Sequence, residues 1–333
     1  MNKSRLIEMP FRLFLLGLSL LVGCSRRQIE PPTPARLSPE PNEPRIQLTY
    51  VSTDSLGVYG VYALDAGCLD SQQPCLGETR ELFQHSSQIF SISWSPDGNR
   101  VAFVSEGVDR KDDVFVSNWD GSNLENITNS SAYEGFSAWS PDGTRIAYES
   151  CPRDGCYIIS AKPDGTEPVR LWPPTQVSSP RPSPHQVAWS PDGTRIAFAD
   201  NDKNGALDQI FTMLLDGSGL VQLTDVPTVN LSPAYSPDGQ WLGFVRESDP
   251  ETLGSSDIFL IHPDGSGEIN LTMRSVRTQL SLAWSPGGQW IAFDGDNDST
   301  YDIYLIRPDG TSMFNVTGST ETDENYVAWR TVS

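Results

Sequence analysis

Basic residues are scarce: 23 Lys and Arg stand against 43 Asp and Glu in 333 residues, a formal charge of −20. Removing residues 1–23, net +2 from Lys3, Arg5, Arg12 and Glu8, takes the charge to −22. Nucleic-acid binding rests on Lys and Arg neutralising phosphates, so this balance excludes a nucleic-acid partner. Histidine is nearly absent. His85, His185 and His262 fall in three separate stretches, and no Gly-x-Ser-x-Gly nucleophile elbow occurs, which argues against an enzyme; paired carboxylates carry little weight in so acidic a chain. Long apolar runs are missing too. The longest, Leu13 to Val22, has ten residues where a spanning helix needs about 20.

What stands in that run's place is a signal peptide, residues 1–23, with Lys3 and Arg5 ahead of the apolar stretch. Its ending, Leu21-Val22-Gly23-Cys24, resembles the bacterial lipobox, which implies that Cys24 becomes the lipidated first residue. Ser25 follows, so no aspartate marks inner-membrane retention. The expected location is the cell envelope, lipid-anchored on the periplasmic or extracellular side of a membrane. Residues 24–44 hold Pro31, Pro32, Pro34, Pro39, Pro41 and Pro44 and too few apolar residues for a core, a tether reaching roughly 60 Å at about 3.1 Å per residue. The remaining cysteines form two close pairs, Cys68 with Cys75 and Cys151 with Cys156. In an exported chain such pairs read as local disulfides, and with three scattered histidines a zinc site is the weaker alternative.

Residues 45–333 are organised by one recurring stretch. Trp139-Ser140-Pro141-Asp142-Gly143, followed by Thr144-Arg145-Ile146-Ala147-Tyr148, returns at Trp94, Trp189, Tyr235 and Trp284, with Gly287 in place of Asp, and in truncated form at Trp329. The spacings of 45, 50, 46, 49 and 45 residues mark a repeat architecture before any other fold is considered. Proline sets the second position of a type I turn, aspartate tolerates the third, and glycine takes the left-handed conformation that follows. A third strand comes after each return, such as Asp257 to Ile261, and then a short fourth at Gln222-Leu223-Thr224 and its relatives. Six second, third and fourth strands can be counted, but the first unit lacks its own first strand. Tyr326 to Trp329, with nothing after it to complete a seventh unit, is expected to lie beside Leu48 to Val51. The fold class is therefore all-β: a six-bladed β-propeller of four-stranded antiparallel blades, closed by a C-terminal strand completing blade one, which leaves no open edge.

The Trp-Ser-Pro-Asp-Gly turn, the Ile-Ala-Phe strand, the Ile-Tyr-like strand and the Asp-Gly and Leu-Thr pairs resemble the propeller repeat of the TolB family. The resemblance runs from about Arg45 to the C-terminus, with blade one the poorest match. It implies a non-catalytic, protein-binding module of the cell envelope, a monomer whose contact with the membrane is the lipid anchor alone. The chain departs from TolB in carrying a proline tether where TolB has an α/β domain, so the module implied is TolB-like with an unassigned partner. The related propellers of prolyl oligopeptidases cap a hydrolase, and no such domain follows here.

Short Pro-Asp-Gly and Asp-Gly turns share one face of such a ring, leaving the unequal loops on the other as the place where function sits. Tyr133, Phe136, Arg181, His185, Arg274 and Arg277 are the candidate contacts there. Envelope protein is the first expected ligand and cell-wall or other polysaccharide the alternative; exposed aromatics clustered on that face would favour sugar. One loop suggests a cofactor. Asp200, Asp202, Asn204 and Asp208 around Gly205 have the alternation of calcium ligands and resemble the calcium loops of integrin-type propellers, although ordinary hairpin chemistry uses the same residues. Asp294, Asp296, Asp298 and Asp302 repeat the spacing without the glycine.

Overall fold

The computed structural model describes residues 45–53, 57–66, 77–107, 110–173, 183–201, 207–247, 256–273, 277–296, 300–319 and 321–332, with backbone alone for 277–280. The signal peptide, Cys24, the tether, Cys68, Cys75, Arg181, Asp202, Asn204 and Arg274 lie outside the described residues, as does the side chain of Arg277.

The strands run β1 (Arg45–Thr53), β2 (Tyr59–Asp65), β3 (Thr79–His85); β4 (Ile89–Trp94), β5 (Arg100–Glu106), β6 (Asp112–Asn118), β7 (Glu125–Asn126); β8 (Tyr133–Trp139), β9 (Ile146–Cys151), β10 (Tyr157–Ala161), β11 (Val169–Trp172). They continue β12 (His185–Trp189), β13 (Arg195–Asn201), β14 (Asp208–Leu214), β15 (Val221–Gln222); β16 (Asn230–Tyr235), β17 (Leu242–Glu247), β18 (Ser256–Ile261), β19 (Ile269–Asn270); β20 (Arg277–Trp284), β21 (Ile291–Asp296), β22 (Tyr301–Ile306), β23 (Phe314–Asn315); and β24 (Glu324–Val332). The described residues form six four-stranded antiparallel sheets, five from consecutive strands and one in the order β24-β1-β2-β3. The last strand completes blade one, with Leu48 opposite Trp329 and Thr49 opposite Ala328. The chain is an all-β six-bladed propeller closed through its C-terminus, as the count of strands requires.

Each sheet is held by the same few devices. In the Pro-Asp-Gly turn the serine hydroxyl donates to the aspartate and accepts the returning N–H: Ser95 Oγ to Asp97 Oδ1, 2.6 Å, and Arg100 N to Ser95 Oγ, 2.9 Å. The glycines of the five turns have φ between 66° and 72°, and a Cβ on Gly98 would sit 1.7 Å from the Thr331 carbonyl. Second and third strands face each other through stacked rings, Phe103 with Phe115, Phe198 with Phe211, Phe244 with Phe259, Phe293 with Tyr304 and Tyr50 with Tyr62. Each pair adds roughly 0.5–1.5 kcal/mol beyond the area it buries. In blades two, five and six the fourth strand is pinned by a buried aspartate near the start of the third. Asp113, for example, accepts from Asn126 Nδ2 at 2.8 Å and Thr128 Oγ1 at 2.9 Å, and Asp257 and Asp302 repeat the arrangement.

The core lies between blades rather than within any one of them. Six apolar clusters alternate with the sheets; one joins Val104 and Val116 of blade two to Trp139 and Ile146 of blade three. The repeat tryptophans reach back across these seams: Trp189, Trp284 and Trp329 donate Nε1 to the carbonyls of Ala138, Ala234 and Ala283, each at 3.1 Å. At the closing blade Trp94 donates to Thr49 Oγ1 instead, and that hydroxyl passes the bond to the Ala328 carbonyl. Thr49 thus joins the two ends of the chain where the other blades have alanine or glycine.

Candidate binding face

Topology sorts the two faces. Turns from first to second and from third to fourth strand emerge on one side, a turn face of near-identical reversals. Loops from second to third strand and connections between blades emerge on the other, the loop face.

On the loop-face half of each innermost strand the pairing slips: between Phe90 and Ile92, Gly135 and Ala138, His185 and Ala188, Leu231 and Ala234, Thr278 and Leu282, and opposite Thr49 and Val51 on β24. These are bulges, which bend a strand and re-aim its side chains. Five of them place a non-glycine residue at positive φ: Ser91, Phe136, Gln186, Ser232 and Tyr326. Such a conformation costs on the order of 1 kcal/mol or more per residue and persists only where its surroundings hold it. Here the freed amides find side chains, Ser232 N donating to Gln186 Oε1 at 2.7 Å and Tyr326 N to Asp294 Oδ2 at 3.3 Å. The bulged residues ring an axial opening of about 110 Å³, lined by one residue or more from each of the six innermost strands.

Beside it, between blades two and three, lies a larger cavity of about 250 Å³ lined by Asp112, Tyr133, Glu134, Phe136, Glu149 and Tyr326 among others. The sequence explains the space. At the position four before the repeat tryptophan or tyrosine, blades two, four and five carry Phe90, His185 and Leu231, whereas blade three has Gly135. A Cβ there would lie 2.5 Å from Glu149 Oε2, so the glycine makes room for that carboxylate. Glu149 occupies a second-strand position that holds Val104, Ala199 and Val245 in blades two, four and five and Asp294 in blade six.

Burial dominates the electrostatics of this face. It pushes Glu149 up to about 7, with Glu134 raising it further and His185 opposing. Glu134 and Asp112 are raised first by burial, the latter also by Glu106 and Asp113. Across the ring, Asp294 is pushed up to about 6 and Glu324 to about 7, again by burial first.

Of the residues expected to form the binding face, Phe136 lines both openings and Tyr133, 55 % exposed, forms the wall of the larger one. His185 sits nearby on β12, its Nδ1 2.8 Å from the Ser183 carbonyl oxygen and its Nε2 3.8 Å from Asp208 Oδ2. Cys151 and Cys156 are joined in a disulfide that ties β9 to β10. Asp200 faces inward: it accepts from Trp172 Nε1, Ser183 N and Asn201 N at 2.7–2.8 Å. Glu134, Glu149, Asp112 and Tyr326 were missed. A carboxylate at a core position of the repeat, as at Glu149, is the signal that could have found the cavity.

A family model described as the TolB beta propeller domain matches residues 175–328, and one described as the WD domain, G-beta repeat, matches residues 77–122. The Tol-Pal system protein TolB of Syntrophus aciditrophicus (strain SB) is 40% identical over 57 residues, 17% of this chain and 12% of that protein. Among solved structures, TolB from Acinetobacter baumannii superposes with a TM-score of 0.68 at 19% identity, covering 85% of this chain and 66% of that one. A putative TolB from Agrobacterium tumefaciens gives 0.61 at 19% identity over 87% of this chain and 99% of that one. The chain therefore spans about an eighth of the matched TolB sequence and just under two thirds of the Acinetobacter chain.

Proposed function

Starting from the premise that the chain is a TolB-like six-bladed β-propeller, we propose that it is a lipid-anchored protein of the cell envelope that binds other envelope proteins through its loop face and carries out no chemistry of its own. The observation that carries this reading is the asymmetry of the ring. One face is closed by stereotyped turns; the other bears two adjoining openings framed by bulged strands and loops of unequal length. Rigid scaffolds commonly place recognition on such loops. The matched relative is named a Tol-Pal system protein, which supports a protein partner.

The polysaccharide alternative calls for several exposed aromatics on the loop face. Among the described residues Tyr133 is the one large aromatic there that is more than a third exposed, since Trp119 at 38 % lies in a turn-face reversal. That favours protein.

Two measurements test the proposal. Labelling with a palmitate analogue should mark the wild-type chain and not Cys24→Ser; equal labelling ends the lipid anchor. The full chain in detergent should capture envelope proteins that a Tyr133→Asp variant loses and an Asp192→Asn variant on the turn face keeps. Capture lost equally by both variants, or kept by both, would show that the loop face is not the binding surface.

A further inference from the structure

The cavity between blades two and three has an account of acceptors that does not balance. Glu134 is 4 % exposed; its Oε1 accepts from Ser130 Oγ, while its buried Oε2 has no hydrogen-bond partner among the described residues. The Ser150 hydroxyl stands close enough to favour the charged form but is not placed to bond Oε2. Glu149 Oε1 lies 3.2 Å from Cys151 Sγ, a sulfur whose disulfide leaves it no proton to donate. Buried carboxylates normally find donors; Glu134, buried, and Glu149, half-buried, leave acceptor capacity in one cavity that a donor from outside can fill.

The walls restrict what that donor can be. Tyr133, Phe136, Phe90 and Tyr326 line the cavity together with the two carboxylates, and Asp112 adds a third acid. Aromatic faces and carboxylates together attract cations and repel an anion. Lys111 holds its Nζ 5.3 Å from the centroid of the Tyr133 ring, so this aromatic accepts an ammonium. Size narrows the class further. Small-molecule sites run to about 300–1,000 Å³, and a cavity of about 250 Å³ is nearer the scale of one side chain.

We infer that this cavity is a socket for a single basic side chain, lysine or arginine, presented by a partner polypeptide, with Glu134 and Glu149 as the acceptors and Tyr133 as the aromatic wall. The inference deepens the protein-binding reading, on which it rests, by naming the chemistry of the contact. Gly135 stands where the other blades carry larger residues, which places the socket at blade three and gives the ring one preferred orientation for its partner. The bulge at Phe136 turns that ring towards the axis, joining the socket to the central opening along which the rest of a segment can lie.

The test uses the full chain in detergent at pH 8, titrated calorimetrically with N-acetyl-lysine methylamide, N-acetyl-arginine methylamide and the neutral N-acetyl-norleucine methylamide. The two cations are expected to bind at least about tenfold more tightly than norleucine, as charge-assisted hydrogen bonds imply. Glu149→Gln should lower cation affinity on the order of tenfold, and Tyr133→Ala, an exposed position that folding tolerates, by roughly two- to fivefold. Equal binding of all three probes, cation binding indifferent to both variants, or preference for chitotriose over the amines would overturn the socket. If the amines fail while envelope proteins are still captured, the socket falls and the scaffold stands. If the amines bind and nothing is captured, the scaffold falls and the socket stands as a ligand site.

Discussion

The two faces of the ring treat the same functional group in opposite ways. Nine turn-face aspartates, Asp97, Asp142, Asp192 and Asp238 in the Pro-Asp-Gly turns and Asp120, Asp164, Asp216, Asp264 and Asp309 in the Asp-Gly turns, are held below the usual carboxylate range by the serine or threonine hydroxyl that bonds them. On the loop face Asp112, Glu134, Glu149, Asp200, Asp294 and Glu324 are all raised, and burial is the first cause in every case. The difference comes from local sequence. A turn aspartate sits one or two residues from a hydroxyl and an open N–H; a loop-face acid sits at the inner end of a strand whose neighbours are rings and aliphatic chains. One face therefore carries charge that is fixed, the other charge that responds to pH and to ligands.

The comparison is broken most severely at Asp294. Its oxygens accept from Ser281 N at 3.1 Å, Ser281 Oγ at 2.7 Å and Tyr326 N at 3.3 Å, so it couples blade six to the closing strand. Asp294→Ala leaves these donors buried without an acceptor and should cost about 3 kcal/mol. In thermal unfolding that is a fall of roughly 6–10 °C. Asp294→Asn keeps an acceptor and mimics the protonated acid, so its loss should be much smaller. If the two variants melt together, it is the charge of Asp294 that matters and the burial argument is wrong.

Next in size is the dependence of stability on pH. The folded state raises Asp294 to about 6 and Glu149 and Glu324 to about 7, above their unfolded values, so their contribution is full below the unfolded pKa and is lost as pH rises through the folded one. The turn aspartates have the opposite sign: their contribution is present above the unfolded value and lost as pH falls below it. Together they predict a maximum in Tm between about pH 4 and 6 and a decline towards pH 8, with Asp294 alone contributing on the order of 2 kcal/mol. Replacing Asp294, Glu149 and Glu324 by their amides should flatten the alkaline limb and leave the acid limb in place. A profile that climbs steadily to pH 8 contradicts the assignment.

On the turn face the expected effect is smaller. Asp192 accepts from Ser190 Oγ, Thr194 N and Thr194 Oγ1 at 2.6–3.0 Å, but it is largely exposed. Asp192→Asn should cost less than about 1 kcal/mol, a shift in Tm of 1–3 °C. The molecule contains its own control: Gly287 stands in the aspartate's place in blade six, and the turn still closes through Gly288 N to Ser285 O and Trp290 N to Ser285 Oγ. A larger loss at Asp192 would mean that the turn carboxylates hold the ring and do not merely tidy it.

The fold was legible because its devices are local and repeated. Ser140, Asp142 and Gly143 spell a turn on their own, and the Asp113, Asn126 and Thr128 network lies within sixteen residues of chain. Blade sharing followed from counting Tyr326 to Trp329 as a first strand without followers. The bulges were not legible, because a slip in register at Phe136 or Gln186 depends on pairing across a sheet and has no residue type of its own. The cavity was half legible. Tyr133 and Phe136 were placed on the face that bears it, but Glu134 and Glu149 look like two acids among 43 until the repeat is aligned and Gly135 proves to be the one glycine of its column, with Glu149 in a column whose other acid is Asp294 of blade six.

Calcium at the loop from Asp200 to Asp208 is the point where sequence spacing and geometry pull apart, and it carries the smallest expected effect. Spacing directs alternate oxygens into the loop, yet Asp200 is buried with both oxygens engaged by Trp172, Ser183 and Asn201. The equivalent acids of blade six are engaged too, Asp294 by Ser281 and Tyr326, Asp302 by Asn315, Thr317 and Ser319. With three N–H donors already on its oxygens, buried Asp200 has one lone pair of Oδ2 left for a cation, and any further coordination must displace a donor, which offsets much of what a hard, oxygen-seeking ion offers. Melting curves in calcium and in chelator are accordingly expected to agree within about a degree. A site at tenfold excess over its Kd would instead add about 1.4 kcal/mol, roughly 3–4 °C, and the fluorescence of Trp172 would move as its partner left. That outcome would make Asp200 a second loop-face acid that answers to a cation, and blade four would join blade three as a place where buried charge waits for a ligand.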